Sequence, residues 1–273
     1  MKLSWSSEPQ PLKIRSRLTR QQQPRKGERG VIRAEHLTKI YAGGVVGVDS
    51  VSFEVTTGQT LALIGPSGCG KTTTLKMLNR LSEPTSGRIF VNEVDLLEQD
   101  PIRVRRGIGY VLQGGGLFPH WSAGQNVGVV PRLLGWDEAR IAARVEEMLT
   151  LVQLPAEEYR QRFPAEMSGG QRQRVGIARA LAADPPIVLW DEPFSALDPL
   201  TRRQMQQEFL QLKQLLGKTM VFVTHDMAEA FLLADRVLIL RDGRVEQYGS
   251  PAEIQASPAS DFVREFLELE APA

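Results

Sequence analysis

Hydrophobic and polar positions change rhythm several times along the chain. From Val31, short runs alternate as half-buried strands do, in Val31-Ile32-Arg33-Ala34-Glu35 and Val51-Ser52-Phe53-Glu54-Val55, with turns marked by Gly43-Gly44 and Thr57-Gly58. This predicts an antiparallel β region. Thr60-Leu61-Ala62-Leu63-Ile64 is instead almost wholly apolar and suits a buried parallel strand, and residues 73–81 have helical character. Arg88-Ile89-Phe90-Val91 and Gly109-Tyr110-Val111-Leu112 read as further strands, the second ending at Gln113. Gly114-Gly115-Gly116 then predicts a flexible hinge, followed by an exposed apolar group, Leu117-Phe118-Pro119.

From there the period lengthens. Ser122-x-x-Gln125 is a capping box, and Ile141, Val145, Met148, Leu149 and Val152 share one face at 3.6-residue spacing. Residues 117 to about 165 therefore read as a helical insertion, which continues through the next helix to about 180. Ile187-Val188-Leu189-Trp190 and residues 219–224 are two buried strands. Asp242-Gly243 between apolar runs signals a hairpin, and Ser250-Pro251-Ala252-Glu253 opens a capped helix. Phe262, Val263, Phe266 and Leu267 give the last helix its apolar face. The succession predicts an α/β fold over 31–267 with an antiparallel β subdomain and a helical insertion, and a short tail at 268–273.

Composition narrows the class. A chain of 273 residues with 42% apolar positions can bury a sizeable core. The net charge of +1 gives no global reason to expect nucleic acid as a partner. No apolar run reaches the roughly 18 to 20 residues that span a bilayer, and no signal-peptide core follows Met1. Residues 1 to about 30, rich in Arg, Lys, Gln, Ser and Pro, read as a basic disordered tail, either drawn to anionic surfaces or simply solvated. The single cysteine, Cys69, cannot form an internal disulfide and reads as a small space-filler.

The chemistry centres on Gly65-Pro66-Ser67-Gly68-Cys69-Gly70-Lys71-Thr72, which satisfies G-x-x-x-x-G-K-[ST] between a predicted strand and a predicted helix. Its glycines let backbone N–H groups turn inward, and the helix start adds a positive dipole end, so the concavity suits a polyphosphate. Lys71 would reach the β- and γ-phosphates, and the Thr72 hydroxyl would ligate Mg²⁺. Asp191 and Glu192 end one buried strand and His225 ends another. Ligands of open parallel sheets sit outside the carboxyl ends of the strands, so these groups and Gly65 converge. Asp191 would serve the Mg²⁺ shell, Glu192 would orient or deprotonate a water, and His225 would meet the γ-phosphate or that water. For Glu192 a salt bridge and for His225 a core position are the plain alternatives. Tyr41, beside a glycine-rich turn, could stack on a base or be an ordinary tyrosine. Ser168-Gly169-Gly170-Gln171 fits both a capping box and a second anion site, and its residues alone leave the two open.

Taken in order, residues 65–72, Gln113, 167–171, 187–192, Ser195-Ala196-Leu197-Asp198 and His225 resemble the full motif set of an ABC transporter ATP-binding subunit: Walker A, Q-loop, signature, Walker B, D-loop and H-loop. The resemblance runs from about Val31 to Leu267. It implies a P-loop ATPase core that binds ATP and Mg²⁺ through residues 65–72 and Thr73, with Tyr41 stacking on adenine. It further implies Gln113 touching Mg²⁺ with Thr72 and Asp191, Glu192 as catalytic base assisted by Lys71 and His225, and Asp198 in the D-loop. Residues 168–171 would cap the ATP held by an opposite subunit. A second copy should therefore sandwich two ATP molecules head to tail, on the cytoplasmic face of the membrane, beneath permease subunits served by a solute-binding protein.

Within that family the chain is similar to importers of quaternary ammonium osmoprotectants such as glycine betaine, carnitine and choline. The stretches carrying this are residues 75–81, 116–120, 198–204 and 260–267. The solute meets the permease and binding protein, so these residues report ancestry and docking. Met167 stands where leucine is usual, and three glycines follow Gln113 where bulkier residues are usual. The sequence ends soon after Leu267, so the paired regulatory domains that many osmoprotectant ATPases carry are expected to be absent. Import of another small solute such as an amino acid is the neighbouring alternative. A soluble ABC ATPase acting on nucleic acid would be expected to show two cassettes, and a P-loop kinase would not need residues 167–171 or 195–198.

Overall fold

The computed structural model describes residues 32–195 and 197–269. The basic segment 1–30, Ala196 of the 195–198 motif and the last four positions lie outside the described residues. Strands β1 (Ile32–Ile40), β2 (Val46–Val55), β4 (Ser86–Val91) and β5 (Val94–Asp95) form an antiparallel sheet in the order β2-β1-β4-β5. A second sheet has the order β10-β9-β3-β8-β7-β6. It is built from β3 (Thr60–Ile64), β6 (Ile108–Val111), β7 (Ile187–Asp191), β8 (Thr219–Val223), β9 (Arg236–Arg241) and β10 (Arg244–Gly249). Its five strands from β9 to β6 are parallel, and β10 closes one edge as an antiparallel hairpin partner. Asp242 and Gly243 both take positive φ, 48° and 79°, as the hairpin signal requires.

Alternation along the parallel strands splits the core in two. Leu61, Leu63, Leu189, Val221 and Leu238 face the antiparallel sheet and pack with Ile32, Phe53 and Ile89. Ala62, Ile64, Trp190, Phe222 and Ile239 face the opposite layer. Because both faces are covered, these strands are apolar at nearly every position instead of alternating.

The helices are α1 (Lys71–Leu78), α2 (Pro101–Gly107), α3 (Ala123–Leu133), α4 (Glu138–Leu151), α5 (Ala156–Tyr159), α6 (Gly169–Leu181), α7 (Pro199–Leu216), α8 (Met227–Leu233), α9 (Pro251–Ala256) and α10 (Asp261–Leu269). The capping boxes at Ser122, Ser168 and Ser250 are all formed. Helix α10 runs two residues past the end read from the sequence. Phe209 of α7 anchors the second layer, meeting Trp190 edge-on at 4.9 Å and Phe222 at 5.7 Å between ring centres.

Of the three glycines after Gln113, where the sequence predicted a loose hinge, Gly115 serves close packing while Gly114 and Gly116 are exposed. All take positive φ, and Gly115 is buried against α6, where an added Cβ would lie 2.6 Å from the Arg172 carbonyl oxygen. The buried Arg179 guanidinium donates to the carbonyls of Gly115 at 2.8 Å and Gly116 at 2.9 Å, pinning the loop to α6.

Candidate nucleotide site

Every strand of the parallel sheet delivers its carboxyl end to the same edge, and the candidate residues gather there. Gly65 leaves β3 at φ 143°, with backbone so close to β9 that a Cβ would sit 2.1 Å from the Leu240 carbonyl oxygen. Gly70, also at positive φ, caps α1 without any side-chain cap, so no side chain competes for the first-turn N–H groups. Lys71 is 7% exposed, and its ammonium donates to the Gly65 and Pro66 carbonyls at 2.7 and 2.9 Å. Ser67 and Gly68 are exposed on the open side of the loop. Cys69 is buried with its sulfur 3.8 Å from the Lys71 ammonium, and burial pushes the thiol up, which keeps it neutral filling.

Two hydroxyls converge on one carboxylate. Thr72 Oγ1 donates to Asp191 Oδ1 at 3.3 Å, and the Tyr110 phenol of β6 donates to Asp191 Oδ2 at 3.0 Å. Burial first, and then the Asp191 charge, push the Tyr110 phenol far above its ordinary range, so it remains a donor. Tyr110 read in the sequence only as a strand residue. The available signal was a phenol in an apolar strand, which needs a partner when buried.

Glu192 follows at φ 45°, a left-handed backbone that costs a non-glycine residue about 1–3 kcal/mol and turns the chain sharply out of β7. Its carbonyl accepts from Ser195 Oγ at 3.1 Å, and Ser195 Oγ in turn accepts from Gln113 Nε2 at 2.9 Å. Gln113 is thereby tied to the segment after β7. Glu192, Ser195, His225 and Glu229 line one shallow cleft. Tyr41 sits at the other end of the site, its half-exposed ring fitted over Gly47, with its hydroxyl 2.8 Å from Thr73 Oγ1.

Residues 168–171 stand apart. Ser168 caps α6 by accepting from Gln171 N, Gln171 returns the bond to Ser168 N, and Gln171 Nε2 donates to the Tyr159 hydroxyl. Asp198 caps α7 by accepting from Leu200 N and Thr201 N, and the Thr201 side chain first, with these backbone bonds beside it, holds its carboxyl below the usual range. Gly170 lies beside Thr201, so the two helix starts adjoin. Among the described residues no hydrogen bond joins 168–171 to the phosphate loop.

A phosphate loop at the carboxyl edge of a parallel sheet, flanked by an antiparallel sheet and a helical layer, defines an ATP-binding cassette. The sequence model of the ABC transporter family matches residues 48–195. The chain belongs to that family. It is 52% identical over 240 residues to the glycine betaine/carnitine/choline transport ATP-binding protein OpuCA of Bacillus subtilis, covering 88% of this chain and 63% of that protein. It is 46% identical over 237 residues to the glycine betaine uptake system ATP-binding protein YehX of Escherichia coli, covering 87% and 76%. The chain thus spans less than two thirds of the length of OpuCA. Among solved structures it resembles the dimeric post-hydrolysis state of the ATP-binding cassette MJ0796 bound to ADP and Pi, with TM-score 0.72 and 33% identity over 80% of this chain and 98% of that one.

Proposed function

We propose that this chain is the ATP-hydrolysing subunit of a membrane importer for quaternary ammonium osmoprotectants. The observation that carries the reading is 52% identity, across 88% of the chain, to a relative whose name assigns it transport of glycine betaine, carnitine and choline. In this reading Tyr41 stacks on adenine, the α1 N–H groups and Lys71 hold the phosphates, and residues 168–171 of a second copy close over them. Support for the two-copy arrangement is that, among the described residues, the bonds of Ser168 and Gln171 stay within the helical layer, together with the dimeric state of the MJ0796 cassette. Glu192 accepts a proton from the attacking water and His225 contacts the γ-phosphate. The paired oxygens of Thr72 and Asp191 suit a hard divalent cation such as Mg²⁺, with Gln113 able to join them, and a cation held there would neutralise charge on the bound phosphates.

No helix among the described residues is long and apolar enough to cross a membrane. Attachment to the cytoplasmic face would come through permease subunits, which a solute-binding protein supplies. The test is uptake of labelled glycine betaine, choline and carnitine by cells with and without the chain, under salt stress. Loss of uptake on deletion supports the reading. Unchanged uptake of all three, with loss of amino-acid uptake, would move the chain to another importer class.

A further inference from the structure

Behind the cleft lies a buried carboxylate to which the reaction scheme assigns no task. Glu229 of α8 is 5% exposed and lines the cleft beside Glu192, Ser195 and His225. It accepts a hydrogen bond from Gln206 Nε2 of α7 at 3.0 Å, and the neighbouring Thr224 hydroxyl and the Arg202 charge of α7 also favour its carboxylate. The connections around His225 are specific. Thr224, just before it, stabilises the Glu229 carboxylate with its hydroxyl and accepts from Asp226 N at 3.1 Å. Asp226, just after it, accepts from Glu229 N at 2.9 Å. The Asp226 bond is to the Glu229 backbone and caps α8, so any residue at 229 keeps it; the Glu229 side chain instead ties this corner, beside Thr224, to the helix whose first turn Asp198 caps.

We infer that Glu229 is a positioning residue for ATP hydrolysis: it sets the His225 peptide against α7, so that His225 and Ser195 hold one fixed relation across the cleft. The inference rests on His225 being the γ-phosphate contact. A buried carboxylate needs such partners for its own sake, but Thr224, Gln206 and Arg202 come from the two segments that flank the cleft, and helix α8 alone does not require them.

The test uses the full chain with saturating ATP and Mg²⁺, comparing Glu229→Leu, Thr224→Val, Glu229→Gln, His225→Ala and the His225→Ala/Glu229→Leu pair. Glu229→Leu and Thr224→Val should each lower kcat about 10- to 100-fold while leaving the ATP Kd unchanged, the weight of a hydrogen bond to a charged group felt in the transition state. Glu229→Gln should keep turnover within about fivefold, since an amide opposite a rotated Gln206 can still exchange hydrogen bonds. In the His225→Ala background, Glu229→Leu should cost nothing more. Thr224→Val is nearly isosteric, so it answers the question even where the leucine variant folds poorly. Normal turnover in Glu229→Leu or Thr224→Val, beside a disabled His225→Ala, would overturn the positioning role alone. Additive losses in the pair would do the same. Full turnover in His225→Ala would remove both this inference and the reading of His225.

Discussion

Thr72 and Asp191, 119 residues apart in sequence, share a hydrogen bond of 3.3 Å between Oγ1 and Oδ1. Strand β8 lies between the strands that deliver them, so the start of α1 reaches across one strand to the end of β7. Tyr110 approaches the same carboxylate from β6 on the far side. Both Asp191 oxygens are thus oriented by side chains from two other segments, which bears directly on metal binding.

Tyr110→Phe removes one of those donors without changing the shape of the strand. The apparent Mg²⁺ affinity, read from Mg²⁺ titration of ATP hydrolysis at fixed ATP, should fall about 10- to 100-fold, as for other residues that orient metal ligands. An unchanged half-saturation point would mean that Asp191 needs no such support.

Glu192→Gln should lower ATP turnover by about 10²- to 10⁴-fold, the usual weight of a general base, while ATP stays bound and a dimer accumulates. Size-exclusion chromatography with ATP, alongside phosphate release, reads both effects. Normal hydrolysis would strip Glu192 of its role.

Ser168→Arg places bulk and charge at the exposed start of α6. In the proposed two-copy arrangement, turnover should vanish while nucleotide binding by the isolated monomer is almost unchanged, because 168–171 would act on the nucleotide of another copy. Monomer binding that fell in parallel with turnover would contradict the head-to-tail arrangement. Loss of the serine cap should itself cost about 1 kcal/mol of stability, visible in a denaturant melt.

The phosphate loop separates two kinds of glycine. Gly65→Ala would drive a Cβ to 2.1 Å from Leu240 O and 2.8 Å from Cys69 Sγ, and should cost about 3 kcal/mol or more with loss of nucleotide binding. Gly68→Ala meets nothing within 4 Å and should cost only the backbone strain of a positive φ, about 1–2 kcal/mol. Equal losses in chemical denaturation would show that the contact with β9 does not matter.

Glu229 also gives stability a pH signature. Burial raises its carboxyl pKa above the ordinary 4.5, Asp226 adds to the rise, and Thr224, Gln206 and Arg202 only partly offset it. The folded state therefore holds this proton more tightly than the unfolded chain. Its contribution is complete below the unfolded value near 4.5 and is lost as pH rises through the raised folded value. The melting temperature of Glu229→Gln should fall less than that of the parent from about pH 4.5 toward neutrality. Identical slopes would mean that Glu229 titrates as an ordinary exposed carboxylate.

Local sequence determined much of this protein. The apolar run 60–64 next to a glycine-rich loop and Lys71 dictates a strand, a phosphate cradle and a helix start, since each depends on neighbours within a few residues. The serines at 122, 168 and 250 formed their capping boxes for the same reason, and Asp242-Gly243 made its hairpin. Tertiary structure decided what depends on strand order. Tyr110 became a partner of Asp191 only because β6 pairs beside β7, and Glu229 joined the cleft only because α8 packs against α7. Part of a glycine run that read as a loose hinge became a tight seat, because a buried Arg179, 63 residues beyond Gly116, supplies donors to the Gly115 and Gly116 carbonyls. Such contacts leave no period or motif in the sequence: a hydrogen bond between distant segments depends on where the sheet brings their ends, and the burial that makes it strong exists only once the layers have closed.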